Sequence, residues 1–326
     1  MALAERLQRL WYGRSPAALW LLPLAWLFCA LVTVRRRLYR RGLLRVQRLP
    51  VPVIVVGNIT VGGTGKTPLV AWLARRLREA GFRPGLIARG HGGGARTWPQ
   101  QVRGDSDPRV VGDEPVLLAR LTGCPMAVGP DRVEAARQLL AHSDCDILLS
   151  DDGLQHYRLG RDLEIAVLDG VRRLGNGFCL PAGPLREPAA RLREVDFVVT
   201  QGLAGRGEYR LKLRPVALVS LVDPARRESL EAWRGRRVHA LAGIGHPQRF
   251  FELLRRSGLE VVEYPFPDHH PFTQEDRADV ADGDPVVMTA KDAVKWARFA
   301  GEGDWYLEVE AEVDERLWPL LEKRLR

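Results

Sequence analysis

The residues from Val51 to Pro68 (VPVIVVGNITVGGTGKTP) have the types and the spacing needed to hold the phosphates of a nucleotide. An apolar strand leads into a glycine-rich loop, and such a loop points consecutive backbone N–H groups at one spot, where they can bind polyphosphate oxygens. Lys66 can reach the terminal phosphates, and the Thr67 hydroxyl is placed to ligand Mg²⁺. The loop residues predicted to bind nucleotide are Thr60, Gly62, Gly63, Thr64, Gly65, Lys66 and Thr67.

Thr60 departs from the usual spacing, which is glycine, four residues and then Gly-Lys-Ser/Thr. Threonine takes the first glycine position here, and the three glycines that follow it supply the turn freedom instead. The strand before the loop and the amphipathic helix predicted after it, Leu69 to Ala80, give the context that the motif needs. A plain strand-turn-helix corner is the competing interpretation.

Two acids, Asp151 and Asp152, end a second apolar strand, Ile147 to Ser150. In nucleotide-hydrolysing folds an acid at the end of such a neighbouring strand reaches Mg²⁺ directly or through water. The alternative is a simple turn, because Asp-Asp-Gly favours turns in any setting.

Three further segments carry polar residues suited to phosphoryl transfer. Asp113 and Glu114 stand at a loop-to-helix junction, where the first suits a helix cap and the second suits the helix dipole. The residues from Asp268 to His270 lie in a proline-bounded loop, and a carboxylate that orients an imidazole helps it take a proton from a hydroxyl. Arg186, beside Glu187, can neutralise charge on a transferring phosphoryl group. The spacing alone leaves a structural alternative open for each segment. These alternatives are a helix cap for the first, a surface loop for the second and a surface ion pair for the third.

The net charge of +9 comes from the first 50 residues. They hold ten arginines and one acid, so that of 49 basic and 40 acidic residues in the chain, 39 of each remain after residue 50. A generally basic body that binds nucleic acid is therefore not supported. The four cysteines are scattered without CxxC spacing, which favours a reducing compartment and argues against a structural zinc site.

Pro16 to Val34 is a run of nineteen uncharged residues, followed closely by five arginines. About 20 apolar residues can cross a bilayer as a helix, and a basic cluster at one end normally stays cytoplasmic. The segment predicts a membrane anchor with the body of the chain in the cytoplasm. A buried core helix and a helix lying in the membrane interface are the alternatives, since Pro23 interrupts the run.

Strand-like and helix-like stretches alternate after residue 50, which is the pattern of a parallel sheet covered by helices. The predicted fold is α/β: a P-loop NTPase (RecA-like) parallel sheet core, a smaller C-terminal α/β domain and an N-terminal membrane helix. The predicted parts are residues 1–50, 51–213 and 214–326, with a connector near 202–214. The predicted strands are Val53–Val56, Gly85–Ala88, Met126–Val128, Ile147–Ser150, Ile165–Leu168, Phe197–Thr200, Val216–Val222, Val238–Ala242, Leu259–Tyr264 and Pro285–Thr289. The predicted helices are Leu69–Ala80, Asp113–Leu121, Asp131–Ala141, Pro247–Ser257, Ala290–Phe299 and Val313–Leu325.

Taken together, these segments resemble one family, the lipid A 4'-kinase (tetraacyldisaccharide 4'-kinase) of the Gram-negative inner membrane. Besides the N-terminal apolar helix with its arginines, the matching motifs are VGNITVGGTGKTP, RGHGG, VGDEP, DDGLQH, LPAGPLREP, FPDHHPF and TAKDAVK. Their order and combination are more specific than the phosphate loop alone. The family's own threonine-for-glycine loop variant accounts for Thr60.

The resemblance implies transfer of the ATP γ-phosphate to the 4'-hydroxyl of a tetraacyl glucosamine disaccharide 1-phosphate, a late step of lipid A biosynthesis that uses ATP and Mg²⁺. The residues that match the family's catalytic positions are Asp113, Asp268, His269, Lys66 and Arg186, with the Asp-His pair contributed by the C-terminal domain. The residues that match metal-side positions are Thr67, Asp151, Asp152, Gln155 and Glu187. The residues that match substrate positions are Asn58, Arg89, His91 and Glu114. His91 stands where the family usually has tyrosine.

The implied partners are the acylated disaccharide lipid and the membrane surface, with no nucleic acid, and no protein partner can be inferred. The implied location is the inner (cytoplasmic) membrane, with the catalytic body on its cytoplasmic face. The rival interpretation is a membrane-tethered P-loop ATPase or nucleotide switch without a lipid substrate. A GTPase should carry Asn/Thr-Lys-x-Asp, whereas the segment from Thr289 to Asp292 has an extra residue before its lysine.

Overall fold

The computed structural model of the chain describes residues 3–13, 16–280 and 283–325, and Arg14, one of the ten N-terminal arginines, lies outside the described residues. The α-helices are α1 (Leu3–Tyr12), α2 (Leu22–Arg40), α3 (Lys66–Glu79), α4 (Pro108–Val111), α5 (Asp113–Thr122), α6 (Arg132–Ala141), α7 (Pro247–Arg256), α8 (Gln274–Val280), α9 (Ala290–Trp296) and α10 (Leu317–Leu325). The strands are β1 (Val53–Gly57), β2 (Pro84–Ala88), β3 (Gln100–Val102), β4 (Met126–Val128), β5 (Ile147–Asp151), β6 (Leu163–Asp169), β7 (Phe197–Gln201), β8 (Tyr209–Ser220), β9 (Arg227–Glu228), β10 (Arg237–Ala242), β11 (Glu260–Pro265), β12 (Val286–Thr289) and β13 (Asp304–Val313). Short 3₁₀ helices cover Pro16–Leu21, Ala189–Arg193, Glu231–Trp233 and Ala297–Phe299.

The chain divides into two compact units. The first comprises Met1–Arg89, Gly129–Lys212 and Val313–Arg326, and the second comprises Gly90–Val128 and Leu213–Glu312. The segment Gly90–Val128, which carries Asp113, therefore clusters with the C-terminal part of the chain. The functional domains expected at residues 51–213 and 214–326 stay a prediction.

The first unit is built on parallel strands in the order β7, β6, β1, β5, β2. Every residue of β1 and β5 is buried, as expected for a parallel sheet with both faces covered by helices. Val56 pairs with Asp151, so the carboxyl ends of β1 and β5 meet at one edge of the sheet. This register brings the phosphate loop, which follows β1, beside the acids that end β5.

The second unit contains the parallel strands β11, β10, β12 and β13, with the later part of β8 beside β13 and the short β9 antiparallel to β8. Two clusters of buried side chains form its core. In one, the Trp233 and Trp305 ring centroids lie 5.1 Å apart, and in the other Phe272 and Trp296 lie 5.3 Å apart. Helices α5 and α9 pack together and carry the residues discussed below.

Most of the predicted strands are confirmed, with shifts of one or two residues at their ends. Two boundaries are wrong, and some elements were not predicted. Strand β8 begins at Tyr209, so the later part of the segment predicted as a connector, from Tyr209 to Arg214, is strand. The last helix begins at Leu317 rather than Val313, because Asp304–Val313 forms a strand that was not predicted. Helix α8, Gln274–Val280, was not predicted either.

The helical stretch Pro16–Arg40 leaves most of its apolar side chains exposed. It has 25 residues with a mean hydropathy of 2.2, long and apolar enough to cross a membrane, and its apolar window is only 11% buried. Trp20 is 88% exposed and Trp26 is 66% exposed, which excludes the alternative of a buried core helix. The basic end is tied to the rest of the first unit, because Glu194 pairs with Arg36 at 2.6 Å and Arg40 at 3.0 Å.

Candidate functional site

The phosphate loop begins where β1 ends and closes at the first turn of α3. Gly65 has a φ of +83°, and a Cβ there would lie 2.7 Å from the Gln201 side chain, so this position requires glycine. Lys66 is the first helical residue, and the N–H groups of a first turn have no partner within the helix. The Thr64 hydroxyl is buried and finds no hydrogen-bond partner among the described residues. These features suit a site that receives phosphate oxygens.

Asp152 holds two cations beside this loop. Its carboxylate lies 3.4 Å from Lys66 Nζ and 3.0 Å from Arg186 Nη1. Burial alone would raise the pKa of Asp152, but the charges of Lys66 and Arg186 hold that pKa at about 2. The φ of Asp152 is +49°, a conformation that residues other than glycine seldom adopt and that clusters at functional sites. Asp151, which precedes it, is 4% exposed.

Arg186 is placed by a strand-like contact with the phosphate loop. Thr60 forms an isolated antiparallel bridge with Leu185, and the Arg186 N–H donates to the Ile59 carbonyl at 2.7 Å. Because of this pairing, Thr60 acts through its backbone to fix the segment that carries the arginine.

Glu187 lies in a buried network of protein contacts. Its Oε1 accepts a hydrogen bond from Gln155 at 2.8 Å, and its Oε2 accepts one from the Tyr157 hydroxyl at 2.6 Å. Arg191 at 3.3 Å and Arg36 at 3.8 Å add ion pairs to the same carboxylate. Both Glu187 oxygens are therefore engaged, which favours a supporting role over direct contact with a metal ion.

The two substrate candidates in the first unit differ in exposure. Asn58 is buried, and its side-chain amide donates to the Gly62 carbonyl at 3.1 Å, while Gln155 donates to the Asn58 carbonyl at 3.0 Å. The Oδ1 atom of Asn58 is buried without a hydrogen-bond partner among the described residues. Arg89, just after β2, is exposed. Asn58 thus steadies the loop and still has one acceptor for a ligand.

Asp113 and His269 form a hydrogen-bonded carboxylate–imidazole pair in the second unit. Nδ1 of His269 lies 3.2 and 3.1 Å from the two Asp113 oxygens. Asp113 is 4% exposed, and it follows Gly112 as the first residue of α5, so the expectation that it caps the helix is wrong. The Glu114 N–H donates to Asp113 Oδ1 at 2.9 Å. His269 has a φ of +61°, the same rare conformation that Asp152 adopts in the first unit.

Electrostatics keep Asp113 ionised. Burial alone would raise the pKa of Asp113, but the hydrogen bond from His269 and the charges of Lys291 and Lys295 hold it at about 2. The pKa of His269 is raised, chiefly by its hydrogen bond to Asp113, although burial and Lys291 oppose the shift. An ionised, buried carboxylate beside an imidazole can accept a proton from a hydroxyl group.

The other predicted residues of the second unit gather around this pair. Lys291 Nζ lies 3.1 Å from Glu114 Oε1 and 3.1 Å from Asp268 Oδ1. The His91 ring meets the His269 ring edge to face at 5.6 Å between centroids. The structure thus brings together the residues Asp113, Glu114, His91, Asp268 and His269, which are far apart in the sequence.

Two residues of these clusters were not predicted. Arg132 is buried, which lowers its pKa to about 10, and it donates to the Asp152 carbonyl at 3.3 Å. No motif marks it in the sequence, where it only follows a helix-capping aspartate. Lys291 belongs to the TAKDAVK motif, which is the signal that could have identified it.

Comparison with known proteins identifies the family to which the chain belongs. The family model described as tetraacyldisaccharide-1-P 4'-kinase (LpxK) matches residues 17–326. The chain belongs to this family. Tetraacyldisaccharide 4'-kinases from Nitrosococcus oceani and an Azoarcus species are 56% and 57% identical to it, over 93% of this chain and 89% and 90% of theirs. The family and the enzyme class expected from the sequence are confirmed.

A solved LpxK also has a similar fold. The crystal structure of LpxK from Aquifex aeolicus in complex with ATP has a TM-score of 0.81 and 28% identity, covering 95% of this chain and 100% of that chain. The predicted fold is thereby confirmed as mixed α/β with mostly parallel strands.

The two adjacent histidines of this LpxK-family chain are expected to differ in function. Nε2 of His270 lies 3.0 Å from Asp276, and the His270 ring packs on Phe266 and Phe272, so it is engaged away from Asp113. We expect His269→Ala to lower kcat by about tenfold to a hundredfold, because Asp113 loses the imidazole that hydrogen-bonds to its carboxylate. His270→Ala should lower it less than about threefold, the cost of lost packing.

The measurement is initial-rate transfer of labelled phosphate to the lipid, normalised to the folded fraction from thermal unfolding. A severe loss in His270→Ala together with full activity in His269→Ala would reverse the assignment.

Proposed function

We propose that this chain transfers the γ-phosphate of ATP to the 4'-hydroxyl of a tetraacyl glucosamine disaccharide 1-phosphate. The residues proposed to act are those around the phosphate loop in the first unit and those around Asp113 and His269 in the second. The first unit holds ATP, and the second supplies Asp113 as proton acceptor. Membership of the tetraacyldisaccharide 4'-kinase family supports this reaction and its place in lipid A biosynthesis. The alternative, a membrane-tethered ATPase or nucleotide switch without a lipid substrate, is not favoured.

The Asp113–His269 pair, in which the carboxylate is buried and the imidazole is partly exposed, is the observation that carries the proposal. A carboxylate that is ionised, buried and hydrogen-bonded to an imidazole suits removal of a proton from an alcohol. Binding of a nucleotide alone does not require a proton acceptor. The pair therefore favours phosphoryl transfer to a hydroxyl group.

In the proposed reaction the 4'-hydroxyl oxygen forms a bond to the γ-phosphorus while the bond to the bridging oxygen of ADP breaks. The hydroxyl proton moves to the Asp113 carboxylate, and the Nδ1–H of His269 stabilises that carboxylate by donating to it. Lys66 and Arg186 neutralise charge on the phosphates, and Asp152 holds both cations in place beforehand. Positioning and charge neutralisation supply most of the rate enhancement in such transfers.

The donors next to the phosphate loop fit a magnesium ion. Mg²⁺ prefers oxygen ligands and usually binds through one or two carboxylates together with substrate phosphates and water. The Thr67 hydroxyl and the Asp151 and Asp152 carboxylates are oxygen donors of this kind, and we propose them as the residues that hold it, with Gln155 and Glu187 in a supporting shell. When bound, the ion would neutralise negative charge on the β- and γ-phosphates.

We also propose that the core of the chain has the P-loop NTPase fold. It is supported by the loop geometry at Gly65 and Lys66 and by the parallel order around β1. We keep the three functional parts proposed from the sequence, residues 1–50, 51–213 and 214–326, with the Asp-His loop in the last. Asn58, Arg89, His91 and Glu114 are proposed to contact the lipid headgroup.

We infer that the stretch Pro16–Arg40 places the enzyme on the inner membrane. An amphiphilic acceptor stays in the bilayer, so the protein must come to its surface. Exposed tryptophans and leucines on the helix, followed by a run of arginines, suit contact with lipid chains and anionic headgroups. The arginines indicate the cytoplasmic face.

Replacing three exposed leucines of this helix, Leu24, Leu27 and Leu31, with glutamine should weaken membrane binding by about tenfold or more, because each loses apolar surface that lipid would cover. Flotation with vesicles of phosphatidylethanolamine and phosphatidylglycerol measures the bound fraction. The matched control replaces three similarly exposed apolar residues outside the helix, Leu121, Val222 and Leu320. Equal flotation of the two triple variants would contradict membrane contact through the helix.

The proposed reaction is tested by incubating the full chain with γ-labelled ATP, Mg²⁺ and the tetraacyl disaccharide 1-phosphate in detergent. Label should appear in the lipid, and a lipid already phosphorylated at the 4' position should accept none. If the folded protein binds ATP and the lipid stays unlabelled, the proposal fails.

A further inference from the structure

Lys291 lies at the start of α9 and contacts three acceptors at once. Its Nζ is 3.1 Å from Glu114 Oε1, 3.1 Å from Asp268 Oδ1 and 3.3 Å from Nε2 of His269. An ammonium group has three N–H donors and no acceptor, so each donor has one partner here. The Nε2 atom of His269 must therefore accept from Lys291 through its lone pair.

This contact fixes the position of the single proton on a neutral His269 ring. If Nε2 accepts from Lys291, the proton resides on Nδ1, and Nδ1 faces both oxygens of Asp113. The ring then donates to the carboxylate at one nitrogen and is blocked by an ammonium group at the other. In this tautomer the atom of the pair that can receive a new proton belongs to Asp113.

We propose that Lys291 is a positioning residue of this kinase: by donating to Nε2 of His269 it holds the imidazole as the neutral Nδ1–H tautomer, so that the proton of the acceptor hydroxyl goes to Asp113. The inference rests on the proposed function for the role of that proton. The tautomer itself follows from the contacts of Lys291 alone.

The alternative is that Lys291 is only a counter-ion for the nearby carboxylates, because several charged residues surround the His269 ring. Helix α5 contributes Asp113 and Glu114, the loop before α8 contributes Asp268, whose Oδ1 lies 3.8 Å from Nε2, and His91 packs against the ring. Helix α9 contributes, besides Lys291, the charged residues Asp292 and Lys295, which lie 3.1 Å apart.

Lys295 separates the two roles. Its Nζ lies 3.9 Å from Asp113 Oδ2, the same distance as that of Lys291 Nζ. Of these two lysines, only Lys291 contacts His269 among the described residues. Lys291→Met and Lys295→Met therefore remove a similar charge from near Asp113, but only the first frees Nε2.

Loss of Lys291 should make His269 easier to protonate. The ammonium group opposes an imidazolium proton at Nε2, while Asp113 and Asp268 favour it, so removing the ammonium group raises the pKa of His269. An imidazolium ion paired with Asp113 makes that carboxylate a weaker proton acceptor. In the pH profile of kcat, the acidic limb should therefore move to higher pH by about one unit. The KM for ATP should stay unchanged.

The test uses the full chain in detergent, labelled with ¹⁵N-histidine, with the His269 signals assigned by their absence in His269→Gln. In the wild type we expect a protonated Nδ1 and an unprotonated Nε2 near pH 8. In Lys291→Met the ring should titrate to imidazolium about one pH unit higher, with the acidic limb of kcat shifted alongside. Lys295→Met should leave the tautomer and the ring titration as in the wild type, and Lys291→Arg, which still donates, should restore most of the wild-type behaviour.

A wild-type ring protonated at Nε2 would overturn the inference, and so would equal shifts in the two lysine-to-methionine variants. The spectra need no substrate, so they test the inference even if the lipid proves not to be phosphorylated. Thermal unfolding identifies a variant that fails to fold, and in that case the wild-type and Lys291→Arg spectra decide.

Discussion

Asp113→Asn is expected to lower kcat by about 10²- to 10⁴-fold, the range of a lost general base. Asparagine has nearly the same shape, and its Oδ1 can still accept from Nδ1 of His269, so the fold should be retained. It has no basic oxygen to take the hydroxyl proton. ATP binding should be unchanged, because the phosphate loop belongs to the other compact unit.

The matched control for this variant is Asp276→Asn. Asp276 and His270 form a second carboxylate–imidazole pair in the same unit, at 3.0 Å, outside the proposed site. Initial rates of lipid phosphorylation and ATP affinity are measured for both variants. A kcat within tenfold of the wild type in Asp113→Asn, or an equal loss in Asp276→Asn, would remove Asp113 as proton acceptor.

The phosphate loop and the acids after β5 could be predicted because their geometry is local. The glycines, Lys66 and Thr67 follow a strand directly, and a buried apolar run marked β5 as a neighbour in the sheet. Parallel strands carry their carboxyl ends to one edge, so the closeness of Asp152 to Lys66 follows from topology that the alternation of strands and helices already indicates.

The contacts of Asp113 could not be predicted from spacing. Its partner His269 lies in a distant segment, and the two meet because Gly90–Val128 packs with the C-terminal part of the chain, a feature without a local signal. The resemblance to a known family supplied the pairing instead. Strand β13 was missed although its sequence carries a signal, because apolar and acidic residues alternate from Leu307 to Val313, the period-2 pattern of a half-buried strand.

The contacts of residues outside the motifs could not be predicted from the sequence. Lys291 is a lysine near a helix start like many others, and only the three acceptors around Nζ distinguish it. The left-handed backbone of Asp152 and His269 has only a weak sequence signal, because aspartate and histidine adopt it more often than most residues but still in a small fraction of cases. Strained backbone at one residue of each cluster agrees with their assignment as functional sites.

Lys66→Met is expected to lower kcat by about 10²- to 10³-fold and to raise the KM for ATP, because the phosphates lose a fixed cation. Methionine keeps the length and most of the volume of the side chain, which is only 12% exposed. Asp152 retains Arg186 at 3.0 Å, so the loop should stay folded. The loss therefore reports on the charge rather than on packing.

Equilibrium binding of ATP and initial rates of lipid phosphorylation are compared with those of Lys212→Met, which removes an exposed lysine of the same unit. Lys212→Met should behave as the wild type. Lys66→Arg should recover part of the ATP affinity but little of kcat, because a guanidinium group spreads its charge over a plane and cannot replace a compact ammonium group at the loop. Normal ATP binding together with a normal rate in Lys66→Met would show that the glycine-rich loop is not the nucleotide site.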